Sequence, residues 1–375
     1  MDVDIGSVSL MDLLLKNQIE GPKLNGSLRV ERVYGKSSTT RSYATYPLQF
    51  MIPKKALPSH VDAVLVYALT FGGGIVSGDC IFFELNVGAD STMMLLTQGF
   101  TNVSIQEGCV LIKLIFLLVI LRLALLVFPN LLCSSVKGLP QSQIYLESLI
   151  QEPHMHKVYK SVEGKMSRHI LKCSVESGGL LALLPDSVVC FATARYSQVQ
   201  RFNLAPDASL VLVDWLTSGR IARGEVWNFE YFKSTNHVYI QEDTPLLLDS
   251  VCLDDHLSPS VSERMGDYHV IAMIFIYGPR LAELRKLVQS NVEKLAGGIL
   301  NNRRRTSSSR ADQVQTPKQN PSAPAFLASC STVGPLGDGL VIRAAATTTR
   351  SMYGFLREQL ATLEPILGRF PYADN

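Results

Sequence analysis

The 375 residues contain no Cys-x-x-Cys pair, no basic stripe with interleaved aromatics and only two tryptophans. Each scarcity removes a class of function. Lys and Arg number 35 against 33 Asp and Glu, a net charge of +2, which is too even to build a nucleic-acid surface. The seven cysteines (80, 109, 133, 173, 190, 252 and 330) are odd in number and scattered, which argues against a zinc ribbon and a disulfide framework. The opening "MDVDIGSVSLMDLLLKNQIEG" begins acidic and has no basic n-region before a long apolar run, so no secretory signal is expected and a cytoplasmic location follows. Charged residues make up only 18% and hydrophobic ones 47%, enough apolar material for one large core.

What is present is mainly β. "SLRVERVYG" (27–35), "VDAVLVYALT" (61–70), "CIFFELNVG" (80–88), "ASLVLVDWLT" (208–217), "GEVWNFEYFKS" (224–234) and "NHVYIQEDTPLLLD" (236–249) are rich in branched and aromatic residues and divided by turn formers. In the third, Ile81, Phe83, Leu85 and Val87 alternate with Phe82, Glu84 and Asn86, as a half-buried strand requires. The spacing predicts a large antiparallel or wound β body with few helices. Two amphipathic helices are expected late, over 278–298 and 349–367, the first with Leu281, Leu284, Leu287, Val288, Val292 and Leu295 on one stripe. Between them, the Ser- and Pro-rich 301–325 reads as a mobile surface loop.

Two motifs stand out. "FGGGIVSGDC" (71–80) places glycines 72, 73, 74 and 78 between two strands and ends at Asp79. Without a following Lys-Ser or Lys-Thr it is no phosphate loop, and the strand after it excludes a dinucleotide fingerprint. Sharp turning or close backbone approach is its plain meaning. "GRIARGEVW" (219–227) sets Arg220, Arg223 and Glu225 between apolar strands, where charges are costly unless paired; a salt-bridged turn is the ordinary explanation. Asp214 shares a strand face with Leu210 and Leu212, so it is either a hydrogen-bond anchor or part of a polar channel. His154-x-His156 can offer two imidazoles to a metal, but no third ligand lies nearby in sequence. No nucleophile, acid–base pair or triad assembles from spacing, which argues against an enzyme.

These motifs, together with "TYPLQFMIP" (45–53), "LTQGFT" (96–101), "KVYKS" (157–161), "LLPDSVVCFATARYSQVQRFNL" (183–204) and "DGLVIRAAATTTRSMYGFLREQL" (338–360), resemble the UreD (UreH) family of urease accessory proteins, particularly its plant members. The resemblance implies a scaffold for nickel delivery that binds apo-urease and, through UreF, the nickel-carrying GTPase UreG. GTP enters only through that partner. It also implies an internal, water-filled nickel passage whose sites bind the ion weakly. Asp79, Asp214 and Glu225 are the candidate passage or mouth carboxylates, and Arg220 and Arg223 the structural or partner-binding charges.

In that family Thr-Gln-Gly-x-Thr runs directly into Lys-Val-Tyr. Here a 55-residue stretch, Asn102 to His156, intervenes, dividing a single domain into 1–101 and 157–375. The stretch reads as translated noncoding sequence such as a retained intron. Its Val110–Phe128 run has 16 Val, Leu, Ile or Phe among 19 residues, contributing about −5 to −10 kcal/mol to insertion against about +2.5 to +3.5 for each of Lys113 and Arg122 when central. A single-pass membrane protein is therefore the rival reading. A span there places the two halves of one β body on opposite sides of a bilayer, which argues against it.

Overall fold

The computed structural model describes residues 22–53, 58, 60–98, 156–241, 243–308, 324–369 and 372. The Val110–Phe128 run and nearly all of 102–156 lie outside these, as does 309–323. No described helix is long and apolar enough to cross a membrane.

Two sheets face one another. One has seven strands: β1 (Gly26–Val33), β2 (Lys36–Ala44), β5 (Cys80–Val87), β8 (Ser167–Val175), β11 (Arg195–Leu204), β13 (Tyr231–Ile240) and β14 (Thr244–Asp254), in the order β14-β13-β11-β8-β5-β1-β2. The other is built on β3 (Leu48–Met51), β4 (Val64–Thr70), β6 (Thr92–Gln98), β9 (Leu180–Leu183), β12 (Ser209–Thr217), β15 (Val270–Tyr277), β16 (Phe326–Val333) and β17 (Gly339–Ala346). Its order is β16-β17-β15-β12-β9-β6-β4-β3, with β7 (His156–Val158) and β10 (Val188–Cys190) attached beside β12. From β5 to β13 the chain winds from one sheet to the other, so each turn lays its strand parallel to that of the turn before.

The body is thus wound, but its centre is parallel. Antiparallel pairing is confined to the flanks, β1–β2, β3–β4 and β13–β14, and to the β12-β15-β17-β16 run. Strands from either side of residues 99–155 are hydrogen-bonded neighbours in both sheets, β5 with β8 and β6 with β9. His156, the last residue of the intervening stretch, opens β7 opposite Val188.

Burial separates two apolar layers. Leu28, Phe83, Leu85, Leu95, Phe202 and Phe275 fill the space between the sheets. Val211, Val213, Trp215, Ile274 and Ile342, from the alternate positions of the larger sheet, face outward beneath helices. Those helices are α2 (Ala282–Ser308), α3 (Thr349–Leu360) and α4 (Glu364–Leu367); the five-residue α1 (Val261–Met265) lies elsewhere, closed by a Ser260–Glu263 capping box.

Three expectations are corrected. Gly224 and Trp227 have φ of 74° and 56°, and 221–223 form a 3₁₀ turn, so the strand expected over 224–234 begins only at Tyr231. Helix α2 runs on to Ser308, eight residues into the 301–325 stretch, since no proline interrupts it before Pro317. Its buried stripe is Leu284, Val288 and Val292, continuing Leu281 of the preceding turn, whereas Leu287, about 60° off that line at 100° per residue, is 42% exposed, and so is Leu295 farther along the helix.

Candidate functional site

The inter-sheet layer should be apolar throughout, yet two adjacent rungs of the seven-stranded sheet carry polar side chains inward. His169, Gln198 and Ser234 lie side by side on β8, β11 and β13; Gln200, Asn236 and Asp249 form the next rung on β11, β13 and β14. All six are 6% exposed or less. On the facing sheet Asp214 of β12 pairs with Met273, which pairs with Arg343 of β17. At about 4.8 Å per strand step, this belt crosses roughly 15 to 20 Å of the interior, perpendicular to the strands.

Asp214 is its hub. Ser234 Oγ donates to Oδ2 at 2.5 Å and Asn236 Nδ2 to the same oxygen at 2.7 Å, while Gln198 Nε2 donates to Oδ1 at 3.3 Å. Tyr196 Oη donates to Gln198 Oε1 at 3.1 Å, fixing that amide. Burial raises the Asp214 pKa above the usual carboxylate range, and the three donors pull it back only in part. At the far end Arg343 Nη2 meets Asp249 Oδ1 at 2.5 Å, the guanidinium largely exposed and the carboxylate only 4% exposed.

Cavities follow the belt. A cavity of about 20 Å³, with room for roughly one water, is lined by His156, His169, Thr97, Gln198, Gln200 and Asp214. A cleft of about 450 Å³ opens beyond it, lined by Asp214, Ser234, Asp249, Met273, Ser329 and Arg343. Asp214 borders both.

Six buried polar atoms along this line have no hydrogen-bond partner: Thr97 Oγ1, His156 Nε2, His169 Nδ1, Gln200 Oε1, Asn236 Oδ1 and Asp249 Oδ2. At about 1–3 kcal/mol for each unpaired group, such a set costs as much as the whole net stability of a domain. These atoms suit a polar occupant, water or cation. Among the described residues no three or more His, Cys, Asp or Glu side chains gather as a metal cage.

Of the three carboxylates singled out in the sequence, only Asp214 lies on the belt. Asp79 closes the 71–80 turn: its Oδ2 accepts from Val76 N at 3.0 Å, and its carbonyl accepts from Arg168 N, adjacent to the His169 rung. Glu225 is set apart. Both its oxygens are taken by Arg220, through Nε at 2.8 Å and a second, shorter bond from Nη2, and Ala192 N also donates to Oε2 at 3.2 Å. The Arg220 bond holds the Glu225 carboxyl below its ordinary pKa. Arg220 also lies over the Phe191 ring, 3.8 Å from its centre, whereas Arg223 is exposed on the 3₁₀ turn.

The glycines of 71–80 divide their tasks. Gly72, Gly73 and Gly78 have φ of 84°, 72° and 84°. Gly74 instead needs its smallness, since a Cβ there sits 2.6 Å from Lys157 O and 2.8 Å from the Tyr159 ring. Its neighbour Ile75 bridges Val158, and Tyr159 packs edge-on against Phe191 at 5.2 Å. Both motifs therefore clamp the segment that begins at His156. Sequence reasoning missed His169, Gln198, Gln200, Asn236 and Asp249. Their one available signal is polar residues at every second position of otherwise strand-like runs.

Comparison with known proteins gives one answer. The profile of the family described as UreD urease accessory protein matches residues 24–109 and 147–374. The interval it omits, 110–146, falls inside the 102–156 stretch. The chain is 40% identical over 349 residues to urease accessory protein D of Arabidopsis thaliana, covering 93% of this chain and 99% of that protein. It is 37% identical over 347 residues to its counterpart in Oryza sativa subsp. japonica (92% and 94% covered), and 31% identical over 350 residues to UreD of Sorangium cellulosum (93% and 83% covered).

Proposed function

The chain belongs to the UreD family of urease accessory proteins, and from that premise we propose that it is a cytoplasmic, non-catalytic scaffold that conducts nickel toward apo-urease. In this reading the chain assembles with UreF and, through it, the GTPase UreG. Nickel is cargo, and the polar belt is its route.

The observation that carries the reading is Asp214, a carboxylate at the centre of an apolar sandwich that borders both the inner cavity and the open cleft. A cation crossing between the sheets exchanges its waters for side-chain oxygens and amides, each holding it briefly. Ni²⁺ accepts oxygen and imidazole donors alike, and sparse ligands favour hopping over trapping. The raised pKa of Asp214 suits this task, because its charge becomes favourable when a cation arrives. Asp79, at the rim beside the His169 rung, is the candidate mouth carboxylate. Glu225, Arg220 and the turn they close serve structure, with exposed Arg223 left for partner contact.

The test is reconstitution of urease activation with nickel, UreF, UreG and this chain. Asp214→Ala is expected to lower active urease at least tenfold while the accessory complex still assembles, as judged by gel filtration. Full activation by that variant would refute the passage. The same assay with residues 102–156 deleted tests the intervening stretch: higher activity is expected without it, and a transcript joining Thr101 to Lys157 is expected beside the longer one. A gene with no splice junction there contradicts its intron origin.

A further inference from the structure

We propose that His156 and His169 form a buried two-imidazole station for one borderline divalent cation of the Ni²⁺, Cu²⁺ or Zn²⁺ class. The inference deepens the passage reading and rests on it only for the choice of nickel as physiological cargo.

Four observations converge. The rings come from opposite sheets, His156 on β7 and His169 on β8, and both line the cavity of about 20 Å³. Their centroids are 5.9 Å apart. With a metal–nitrogen bond of 2.0–2.1 Å the ring centre lies about 3.2 Å from the ion, so two rings sharing one ion have centroids roughly 5–6.5 Å apart. His156 Nε2 and His169 Nδ1 are buried and without partners, and so are Thr97 Oγ1 and Gln200 Oε1 in the same wall. Two nitrogens and up to two neutral oxygens make a set that selects borderline cations over Mg²⁺ or Ca²⁺.

Protonation favours ligation as well. Burial pushes both imidazoles down, His156 to about 3 with help from the neighbouring ring, and His169 to about 4 against a bond to Gln198. Neither ring has a proton to shed before it binds at neutral pH.

The second imidazole also has an unusual origin. His156 is the residue immediately before Lys157, the place Thr101 takes if "LTQGFT" joins "KVYKS" directly. The longer chain therefore carries a chelating pair where the shorter one has a hydroxyl beside His169. Such a station holds the ion longer than a hopping site does, and it lies beside Asp214 on the route.

The experiment uses the full-length chain, with Ni²⁺ alone in equilibrium dialysis and Cu²⁺ alone in electron paramagnetic resonance. The unmodified chain is expected to show a Cu²⁺ signal with superhyperfine splitting from two imidazole nitrogens. His156→Thr and His169→Gln are each expected to weaken Ni²⁺ binding about tenfold or more and leave one nitrogen, while His154→Ala changes neither. Absence of a two-nitrogen species in the unmodified chain overturns the proposal, whatever the variants' folding. So does unchanged binding in the two variants, or loss in His154→Ala instead. Urease activation by Asp214→Asn separates the two readings. Lost activation with intact Ni²⁺ binding in the histidine variants sinks the station alone, and the reverse pattern sinks the passage alone.

Discussion

Asp214 and Trp215 are consecutive residues of one strand, and they face different solvents. Trp215, 2% exposed, packs edge-on against Tyr353 at 4.7 Å in the layer under the helices, where the buried side chains are almost all hydrocarbon. Asp214, half-buried, turns to the other face, into a layer crossed by amides, imidazoles and carboxylates and bordered by the open cleft. The alternation of a β-strand permits this, because successive side chains leave on opposite sides. One face of the larger sheet thus packs almost entirely hydrocarbon, and the other gives up some stability to enclose a polar belt.

The sharpest way to break that comparison is to substitute one residue in each layer. Leu356→Ala, fully buried on α3 in the apolar layer between helix and sheet, is expected to cost about 2–5 kcal/mol in urea denaturation with no specific defect in nickel transfer per folded molecule. Asp214→Asn should change stability by less than about 1 kcal/mol, since Asn236 can turn its amide to reverse one hydrogen bond. Equal costs at the two sites would mean that the belt is ordinary core.

The clamps at the end of the belt come next. Gly74→Ala is expected to destabilise by about 1–3 kcal/mol, because the new methyl meets backbone at Lys157 that cannot retreat. Arg220→Ala leaves the Glu225 carboxylate, only 14% exposed, without its main partner and should cost about 1–3 kcal/mol.

The smallest effects are in pH dependence, where the two carboxylates carry opposite signs. Glu225, with its pKa lowered on folding, stabilises above its unfolded value near about 4.3, and that contribution is lost as pH falls through the folded value. Asp214, with its pKa raised, makes the folded state retain a proton that the unfolded chain releases, so stability declines as pH rises from about 3.9 through the folded value. In metal-free buffer Asp214→Asn should therefore gain on the parent as pH rises, and Glu225→Gln should lose. Parallel curves for the two variants would contradict the assigned environments.

Much of the fold was legible in residue patterning, and the reasons for the exceptions are physical. The strand at 80–87 announced itself through Ile81, Phe83, Leu85 and Val87, and the helix at 349–360 through its apolar spacing. Parallel pairing was not legible, because it depends on which sheet each successive strand joins rather than on any strand's composition. Asp214 was conspicuous as a single acid among leucines and valines. His169, Gln198 and Asn236 were not, since a polar residue in a strand ordinarily faces water; only the register placing them on adjacent rungs reveals the belt. Glu225 was equally conspicuous, but its local partner was not: an arginine five residues away closes on its carboxylate, and it lines neither the cavity nor the cleft.

The most direct measurement is the nickel content of urease matured by the Asp214→Asn chain, compared with the parent at matched amounts of assembled complex. A route through the belt predicts at least a tenfold fall in nickel per urease with complex yield unchanged. Equal nickel loading would show that the ion travels elsewhere and that the polar belt is only an expensive core.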